Sequence, residues 1–245
     1  MSELAQAHHP ESVVDRLDGN TWERMCQGLD ADGFAMARQL MSHDECDAVA
    51  RLYEDDDHFR SRVIMSRHGF GKGEYKYFRY PLPGIVKELR DATWPQLARV
   101  ANRWNEAMRV EVRYPQVHAD FLARCHDTGQ CRPTPLMLDY AARDYNCLHQ
   151  DLYGEHVFPL QIAILLSQPQ TDFHGGEFVL TEQRPRMQSR VQVVPLAKGD
   201  AVVFAVHQRP VKGARGYYRV NMRHGVSRVQ SGHRRTLGII FHDAA

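Results

Sequence analysis

The amino-acid sequence predicts an α+β protein with a mainly β core, in which an antiparallel jelly roll follows a helical flank. After Pro133, short apolar runs separated by Gly, Asp, Asn and Pro succeed one another without a helical segment between them. Short strands spaced in this way predict an antiparallel sandwich or barrel rather than a parallel α/β sheet. Before Pro133, the apolar residues recur mainly at helical spacing. We therefore expect an extension at residues 1–29 and a single domain at residues 30–245, with a helical flank at 30–132 and a jelly-roll core at 133–245.

Three segments of the flank carry specific helix signals. Ser42 can cap a first helix, and Glu45, three residues later, can complete a capping box. Residues 94–108 place apolar side chains at intervals of three and four, and Pro95 suits the first turn of that helix. Residues 114–129 repeat the pattern and end on a glycine that can stop the helix. We expect these amphipathic helices to pack on a sheet.

The jelly-roll core is expected to contain six or more strands, because its apolar runs are short and are bounded by turn-forming residues. In chain order, these runs are "LMLDYA", "FPLQIAILLS", "GEFVLTE", "RVQVVPL", "DAVVFAV", "YYRVNMRHGVSRV" and "TLGIIFH".

Composition limits the classes of protein to which the chain can belong. It has 245 residues, of which 43% are apolar and 25% are charged, with a formal net charge of +1. This balance argues against a surface built throughout for nucleic acid, so any basic footprint must be local. Five cysteines without zinc-finger spacing favour reduced thiols, and no apolar run is long enough for a membrane span. We expect a cytoplasmic protein without a membrane partner.

A histidine and an aspartate lie one residue apart just before a long apolar run. In an extended chain, His149 and Asp151 would project from the same face, and His224 lies in a later predicted strand that could face them. Two imidazoles and one carboxylate on one side of an ion leave coordination positions open, which suits non-haem Fe(II) and oxygen chemistry. The pair His118 and Asp120 has the same spacing but lies in a predicted helix, where the two side chains diverge by roughly 200°. We predict a metal site at His149, Asp151 and His224.

Two adjacent arginines begin the last apolar strand. Arg234 follows His224 by ten positions, and Arg235 comes next. An arginine directed into a jelly roll is costly unless it meets an anion, and its planar guanidinium matches a carboxylate. The alternation of a strand places the two arginines on opposite faces but does not choose between them, although Gly238 would leave room beside Arg234. A solvated turn with two arginines remains the alternative.

With this set of residues, the sequence resembles the 2-oxoglutarate- and Fe(II)-dependent oxygenases, most specifically over residues 133–245. The resemblance implies a double-stranded β-helix, a jelly-roll variant, and three catalytic iron ligands at His149, Asp151 and His224. It also implies that Arg234 binds the far carboxylate of 2-oxoglutarate, an anionic cosubstrate that is used together with dioxygen.

The family also has a tyrosine upstream of the first ligand that helps to hold the cosubstrate. Tyr140 matches that position, with Tyr145 as the second choice. The stretches "CRPTPL", "NCLHQDLYGE", "FPLQ", "EQRPRMQSR", "RHGVS" and "GIIFHDA" together resemble a bacterial family of predicted oxygenases proposed to act on damaged nucleic acid. This resemblance implies oxidation of a C–H bond with release of succinate and CO2, through hydroxylation or through oxidative demethylation of nucleobases. The alternatives are a hydroxylase of a small molecule or a protein side chain, and a metal-binding jelly roll without turnover.

A nucleic acid partner, as a single strand or a flipped base, would need a local basic rim at the pocket. Two arginine-rich segments border predicted core strands and could form such a rim, with tyrosines interleaved for base stacking. The candidate rim residues are Arg184, Arg186, Arg190, Arg215 and Arg219. The alternative is that these segments are solubilising loops whose arginines pair with nearby acidic residues.

Overall fold

The computed structural model describes residues 12–13, 15–152 and 154–245. Within these residues the chain forms four α-helices and fifteen strands. The helices are α1 (Gly19–Asp32), α2 (His43–Arg51), α3 (Gly84–Ala107) and α4 (His118–Asp127), and short 3-10 turns lie at Leu52–Glu54, Asp56–His58 and Met65–Arg67. The strands are β1 (Phe34–Ala37), β2 (Phe59–Ile64), β3 (Gly71–Lys72), β4 (Glu74–Phe78), β5 (Leu136–Tyr140), β6 (Tyr145–His149), β7 (Leu160–Leu165), β8 (Phe173–Gly175), β9 (Phe178–Gln183), β10 (Arg190–Val194), β11 (Ala201–Ala205), β12 (Gln208–Gly213), β13 (Gly216–Val226), β14 (Val229–Gly232) and β15 (Arg234–Ile239).

The strands build two main sheets. The major sheet has seven strands in the order β1-β11-β7-β15-β5-β4-β2, and the minor sheet has the order β10-β9-β13-β6-β3, with β12 also paired to β13. A short separate pair joins β14 to β8. Every pair of strands in the two main sheets is antiparallel. The expected α+β fold with an antiparallel jelly-roll core is confirmed.

The two faces of the major sheet bury different sets of side chains. On β7, Ile162 and Ile164 belong to the apolar core that also contains the buried faces of α1 and α3. The alternate residues Ala163 and Leu165 belong to a second apolar cluster that includes Phe178 of the minor sheet. Helices therefore cover one face of the major sheet, and the other face is directed toward the minor sheet.

The expectation of a helical flank at residues 30–132 is corrected, because β1, β2, β3 and β4 lie within it. Three of these strands widen the major sheet: β1 pairs with β11 at one edge, and β4 pairs with β5 and β2 at the other. They are short, and β1 and β4 obtain their hydrogen bonds from strands far along the chain. Local periodicity in the sequence cannot reveal such distant pairing partners.

The helix signals are partly confirmed. Ser42 caps α2, and its capping box with Glu45 is complete. The expected start at residue 94 is wrong, because α3 begins at Gly84 and holds Pro95 in its interior. An interior proline removes one backbone hydrogen bond, but the helix continues through it because its apolar side, including Trp94, is buried in the core. Among the described residues, no helix is both long and apolar enough to cross a membrane.

The expected boundary between an extension and a domain, after residue 29, is also corrected. It falls inside α1, whose Trp22, Met25 and Leu29 are buried in the same apolar core as the sheet. Asp30 in the last turn accepts a hydrogen bond from Nε1 of Trp104 on α3 at 2.7 Å. Helix α1 is therefore part of the packed structure, because the apolar face of an isolated helix of this length would stay exposed to water.

Candidate metal centre and cosubstrate pocket

Two neighbouring strands of the minor sheet position the candidate metal ligands. His149 is the last residue of β6 and is paired across the ladder with His224 of β13. Asp151 follows two residues later and lies between the two imidazoles, with its carboxylate oxygens 3.4 Å from Nε2 of His149 and 3.5 Å from Nε2 of His224. One ligand atom from each residue lies within 4.8 Å of the others. The structure brings together the three residues that the spacing singled out.

Hydrogen bonding indicates which nitrogen of His149 can bind a metal. Its Nδ1 lies 2.7 Å from the carbonyl oxygen of Cys147. A carbonyl oxygen can only accept, so Nδ1 carries the proton and the lone pair of the neutral ring is on Nε2. Nε2 is the atom that faces Asp151, and His224 also directs its Nε2 toward Asp151. Both imidazoles therefore present Nε2 to the same point.

The charges of the three residues are coupled. Burial disfavours the ionised form of Asp151, but hydrogen bonds and charge from His149 and His224 outweigh burial and hold its pKa well below the usual range. Burial opposes a charge on His149 too, yet the hydrogen bond and charge of Asp151 raise its pKa. Burial, followed by repulsion from His149, lowers the pKa of His224. The site is thus an anionic carboxylate between two imidazoles, which fits a divalent cation of the kind bound by nitrogen and oxygen ligands.

A cavity of about 290 Å³ opens beside the three residues. Its lining comes from the inner face of the major sheet and from the facing strands of the minor sheet. It is mostly apolar, with a small number of polar groups, as is usual for a small-molecule site. The polar groups beside the ligands are Tyr75, Tyr77, Tyr140, Asn146, Gln150, Gln161, Arg234 and Thr236.

Arg234 lines this cavity and is 1% exposed. Its Nη1 donates to Oγ1 of Thr236 at 2.5 Å, and its Nε has no hydrogen-bond partner. The guanidinium lies over the rings of Tyr140 and Phe173, and burial lowers its pKa to about 10. Among the described residues it has no carboxylate as an ion-pair partner. A buried guanidinium without an anion is costly, so this position fits a carboxylate supplied by a ligand.

Backbone geometry beside Arg234 makes room for its side chain. Gly176 has a φ of +64°, and a Cβ atom at this position would lie 3.0 Å from Cδ of Arg234 and 2.9 Å from Cγ2 of Val229. Only glycine combines this conformation with so close an approach. The Gly-Gly turn before β9 therefore packs directly against the arginine.

The adjacent arginine points to the opposite face. Arg235 donates to Asp139 at 2.8 Å and to Glu54 at 2.6 Å, and it also contacts the carbonyl oxygen of Ala50. It is a half-buried structural cation that already has its anions. Side-chain alternation left the choice between the two arginines open, and the structure places Arg234 in the cavity.

The two candidate tyrosines also differ in whether they line the cavity. Tyr140 is paired with Arg234 across the β5–β15 ladder, is buried and lines the cavity. Its hydroxyl oxygen lies 3.3 Å from Nδ2 of Asn146, and burial raises its pKa, so the hydroxyl stays protonated. Tyr145, on β6, is half-buried and lies outside the lining. Tyr140 is therefore the tyrosine beside the arginine.

None of the five arginines of the expected basic rim lines the described cavity. Arg184 donates to Glu182 at 3.0 Å, and Arg190 lies 3.7 Å from the same carboxylate. Arg219 donates to the carbonyl oxygen of Met108 at 2.7 Å. Arg186 follows the end of β9 and Arg215 lies in the turn between β12 and β13, so both are outside the lining too.

Several cavity residues were not anticipated from the sequence. Thr236 follows Arg234 by two positions on the same strand face, so the alternation used for the arginines could have found it. Gln161 is the single polar residue of the buried strand β7, and a polar residue in such a run is a usable signal. The aromatic residues Phe70, Tyr75 and Tyr77 come from the flank that was expected to be helical. No local signal placed them at the cavity.

Comparison with known proteins identifies the family of the chain. A family model described as an oxygenase "catalysing oxidative methylation of damaged DNA" matches residues 73–244, more than two thirds of the chain. An uncharacterized protein of Mycobacterium tuberculosis strain H37Rv is 48% identical over 168 residues, which cover 69% of this chain and 72% of that protein.

Solved structures share the fold at low identity. A prolyl hydroxylase from Trichoplax adhaerens, solved with a hypoxia inducible factor peptide, has a TM-score of 0.57 at 13% identity, covering 91% of this chain and 89% of its own. A 2OG-Fe(II) oxygenase family oxidoreductase from Burkholderia pseudomallei has a TM-score of 0.52 at 16% identity, covering 100% and 98%. The chain belongs to the matched oxygenase family.

Proposed function

We propose that His149, Asp151 and His224 hold the Fe(II) and that Arg234 anchors 2-oxoglutarate. The observation that carries this proposal is that the three metal-ligand residues share one cavity with a buried arginine that lacks an anion. A guanidinium binds a carboxylate through parallel hydrogen bonds, and Thr236 and Tyr140 place two hydroxyls beside it. The far carboxylate of 2-oxoglutarate supplies the missing charge.

Three residues that hold the iron would leave coordination positions free for cosubstrate and dioxygen, as oxygen chemistry requires. When bound, iron and 2-oxoglutarate supply the oxidation of a substrate C–H bond by dioxygen, with release of succinate and CO2. The chain's own residues orient the cosubstrate and exclude water, because the cavity lies between two sheets and is lined mainly by apolar side chains. No residue needs to act as a general acid or base in this scheme.

For the primary substrate, we propose a damaged or modified nucleobase presented as a flipped or single-stranded base. The description of the matched family supports this class. Aromatic side chains support it too, since Tyr75, Tyr77 and the exposed Phe70 line the cavity, and His68 stacks on Phe70 with ring centroids 5.3 Å apart. Aromatic faces bind extruded bases by stacking. Hydroxylation of an N-methyl group would release formaldehyde and restore the base.

A second candidate is hydroxylation of a small molecule or a protein side chain. It is favoured by one observation: Arg234 is the only arginine or lysine in the lining of the described cavity. A strand of nucleic acid is usually held by basic residues near the site, and the arginines expected to do this are outside the lining.

The site assignment is tested by anaerobic titration of Fe(II) and 2-oxoglutarate into the purified protein. We expect the weak visible charge-transfer absorption of a chelated keto acid, dependent on both additions and lost in His224→Ala. Retained absorption in that variant would contradict the ligand assignment.

The substrate is tested by incubating the loaded enzyme in air with single-stranded DNA that carries one N-methylated base. The nucleobase proposal predicts formaldehyde in proportion to the succinate formed. Formation of succinate without formaldehyde and without any change to the methylated base would favour the second candidate.

A further inference from the structure

A buried glutamine lines the cavity and has no protein partner for its amide nitrogen. Gln161 is 4% exposed, and its Nε2 forms no hydrogen bond with any described residue. It lies in β7, all six residues of which are buried. A buried amide is normally hydrogen-bonded, because leaving the group unpaired away from water is costly. An orphaned donor at the wall of a cavity indicates a ligand group that would accept from it.

Strand register places Gln161 at the far end of the cavity from the cosubstrate anchor. The inner face of β7 carries Gln161, Ala163 and Leu165, and Leu165 is paired with Thr236 of β15. At about 3.3 Å per residue, Gln161 lies roughly 13 Å along the sheet from Leu165 and its partner Thr236. Arg234 lies two residues further in the same direction, so its backbone is still more distant from Gln161. The five-carbon chain of 2-oxoglutarate is too short to contact both Arg234 and Gln161.

The same register places Gln161 beside the metal centre. Gln161 is paired with Phe204 of β11, so the two side chains lie on the same face of the sheet. The ring of Phe204 is 4.7 Å from the ring of His224, measured between centroids. Gln161 is therefore separated from the metal ligands by one aromatic ring, on the side that the cosubstrate does not occupy. We therefore expect the substrate to reach the metal centre from that side, because the proposed position of 2-oxoglutarate fills the other.

Building on the proposed function, we propose that Gln161 is a specificity-determining residue that reads the hydrogen-bonding edge of the substrate base. A carboxamide presents one donor and one acceptor in a plane, which matches the N6 and N7 positions of adenine through two parallel hydrogen bonds. That edge stays free when adenine is methylated at N1. The apolar surroundings of Gln161 make the discrimination strong, because a base that cannot pair leaves the amide unsatisfied.

The inference is tested by equilibrium binding without turnover, with Mn(II) in place of Fe(II) and with 2-oxoglutarate present. The probes are single-stranded oligodeoxynucleotides that carry one 1-methyladenine, one 3-methylcytosine or no modification. Gln161→Leu is expected to weaken binding of the methyladenine probe by about 5- to 150-fold while leaving 2-oxoglutarate affinity unchanged. Gln161→Glu is expected to move the preference toward 3-methylcytosine, because a carboxylate accepts from the cytosine N4 amino group. Gln183→Leu, an exposed position at the end of β9, is the matched control and should change neither affinity.

Each other outcome overturns the assignment in a recognisable way. Unchanged probe binding in Gln161→Leu would show that the glutamine does not contact the base. A loss of 2-oxoglutarate binding in the same variant would place Gln161 on the cosubstrate. If wild-type protein binds 2-oxoglutarate but no methylated probe, the nucleobase substrate and this assignment both fail, while the metal and cosubstrate site stands. Failure of 2-oxoglutarate binding in the wild type would instead refute the proposed site itself.

Discussion

Replacing Arg234 tests the cosubstrate anchor, because the neighbouring Arg235 supplies a matched control. Arg234 is buried, lines the cavity and has no protein anion, whereas Arg235 is paired with Asp139 and Glu54 on the other face. Arg234→Gln keeps a polar side chain of similar length but removes the charge. Arg235→Gln makes the same chemical change one residue away.

The expected magnitude follows from the burial of Arg234. Truncating one partner of a buried, hydrogen-bonded charge pair costs about 2–5 kcal/mol. Since about 1.4 kcal/mol is a factor of ten in affinity, Arg234→Gln should weaken 2-oxoglutarate binding by roughly 30- to 5,000-fold. In the absence of 2-oxoglutarate the same change removes a buried charge that lacks an anion, so we expect the free energy of unfolding to stay level or rise. Arg235→Gln should have the reverse pattern, with lower stability and unchanged 2-oxoglutarate affinity.

The assay combines anaerobic calorimetric titration of 2-oxoglutarate into metal-loaded protein with thermal unfolding of the protein, with and without the cosubstrate. Wild-type protein and Arg235→Gln should be stabilised by 2-oxoglutarate, because a ligand that binds only the folded state adds to its stability. Arg234→Gln should lose that stabilisation. Equal 2-oxoglutarate affinity in wild type and Arg234→Gln would refute the reasoning, as would a larger loss in Arg235→Gln.

Three further predictions concern the metal, a helix cap and acid stability. Asp151→Ala should abolish Fe(II) binding in calorimetry, and so should His224→Ala. The control Asp120→Ala, in the helical His-x-Asp pair, should leave Fe(II) binding intact. Metal binding by either of the first two variants would contradict the site. Ser42→Ala removes the capping box of α2 and should lower the free energy of unfolding in urea by about 1 kcal/mol, and no change would mean that the cap is dispensable. Burial and then the charge of a neighbouring arginine lower the pKa of His118 to about 4, so the folded state resists its protonation. Stability should therefore be complete above about pH 6.5 and fall by about 1.4 kcal/mol per unit as the pH drops toward 4, and a pH profile that is the same in His118→Gln would count against this origin.

Much of the site could be predicted because it is encoded in local spacing on strands. A strand alternates its side chains with a period of two, so an extended His149-x-Asp151 segment places both side chains on the same side. The same reasoning excluded His118 and Asp120, and the structure places His118 in the core with its Nε2 2.8 Å from the carbonyl oxygen of Phe241. Ligand spacing in an extended chain is thus a local property that needs no knowledge of the fold.

The partners of the arginines in the two arginine-rich segments could not be predicted, because they come from distant parts of the chain. Arg209 of β12 is buried and forms an ion pair with Glu182 of β9. Arg184 and Arg190 lie near the same carboxylate. A cluster of arginines in the sequence therefore became a structural ion-pair network, since Glu182 is brought to it only by the pairing of β9 with β10 and β13.

By itself, the sequence determined the fold class, the run of core strands and the His149-x-Asp151 pair of the candidate metal site, since all of these follow from short-range periodicity. Only the tertiary structure decided which face of each strand is the inside. Helices cover one face of the major sheet and the minor sheet faces the other, so Arg234, Tyr140 and Gln161 enter the cavity while Arg235 does not. The physical reason is that the alternation of side chains defines two faces of a strand but does not specify what packs against either face. Burial, and with it the environment that makes a side chain functional, depends on the surface that packs against each face.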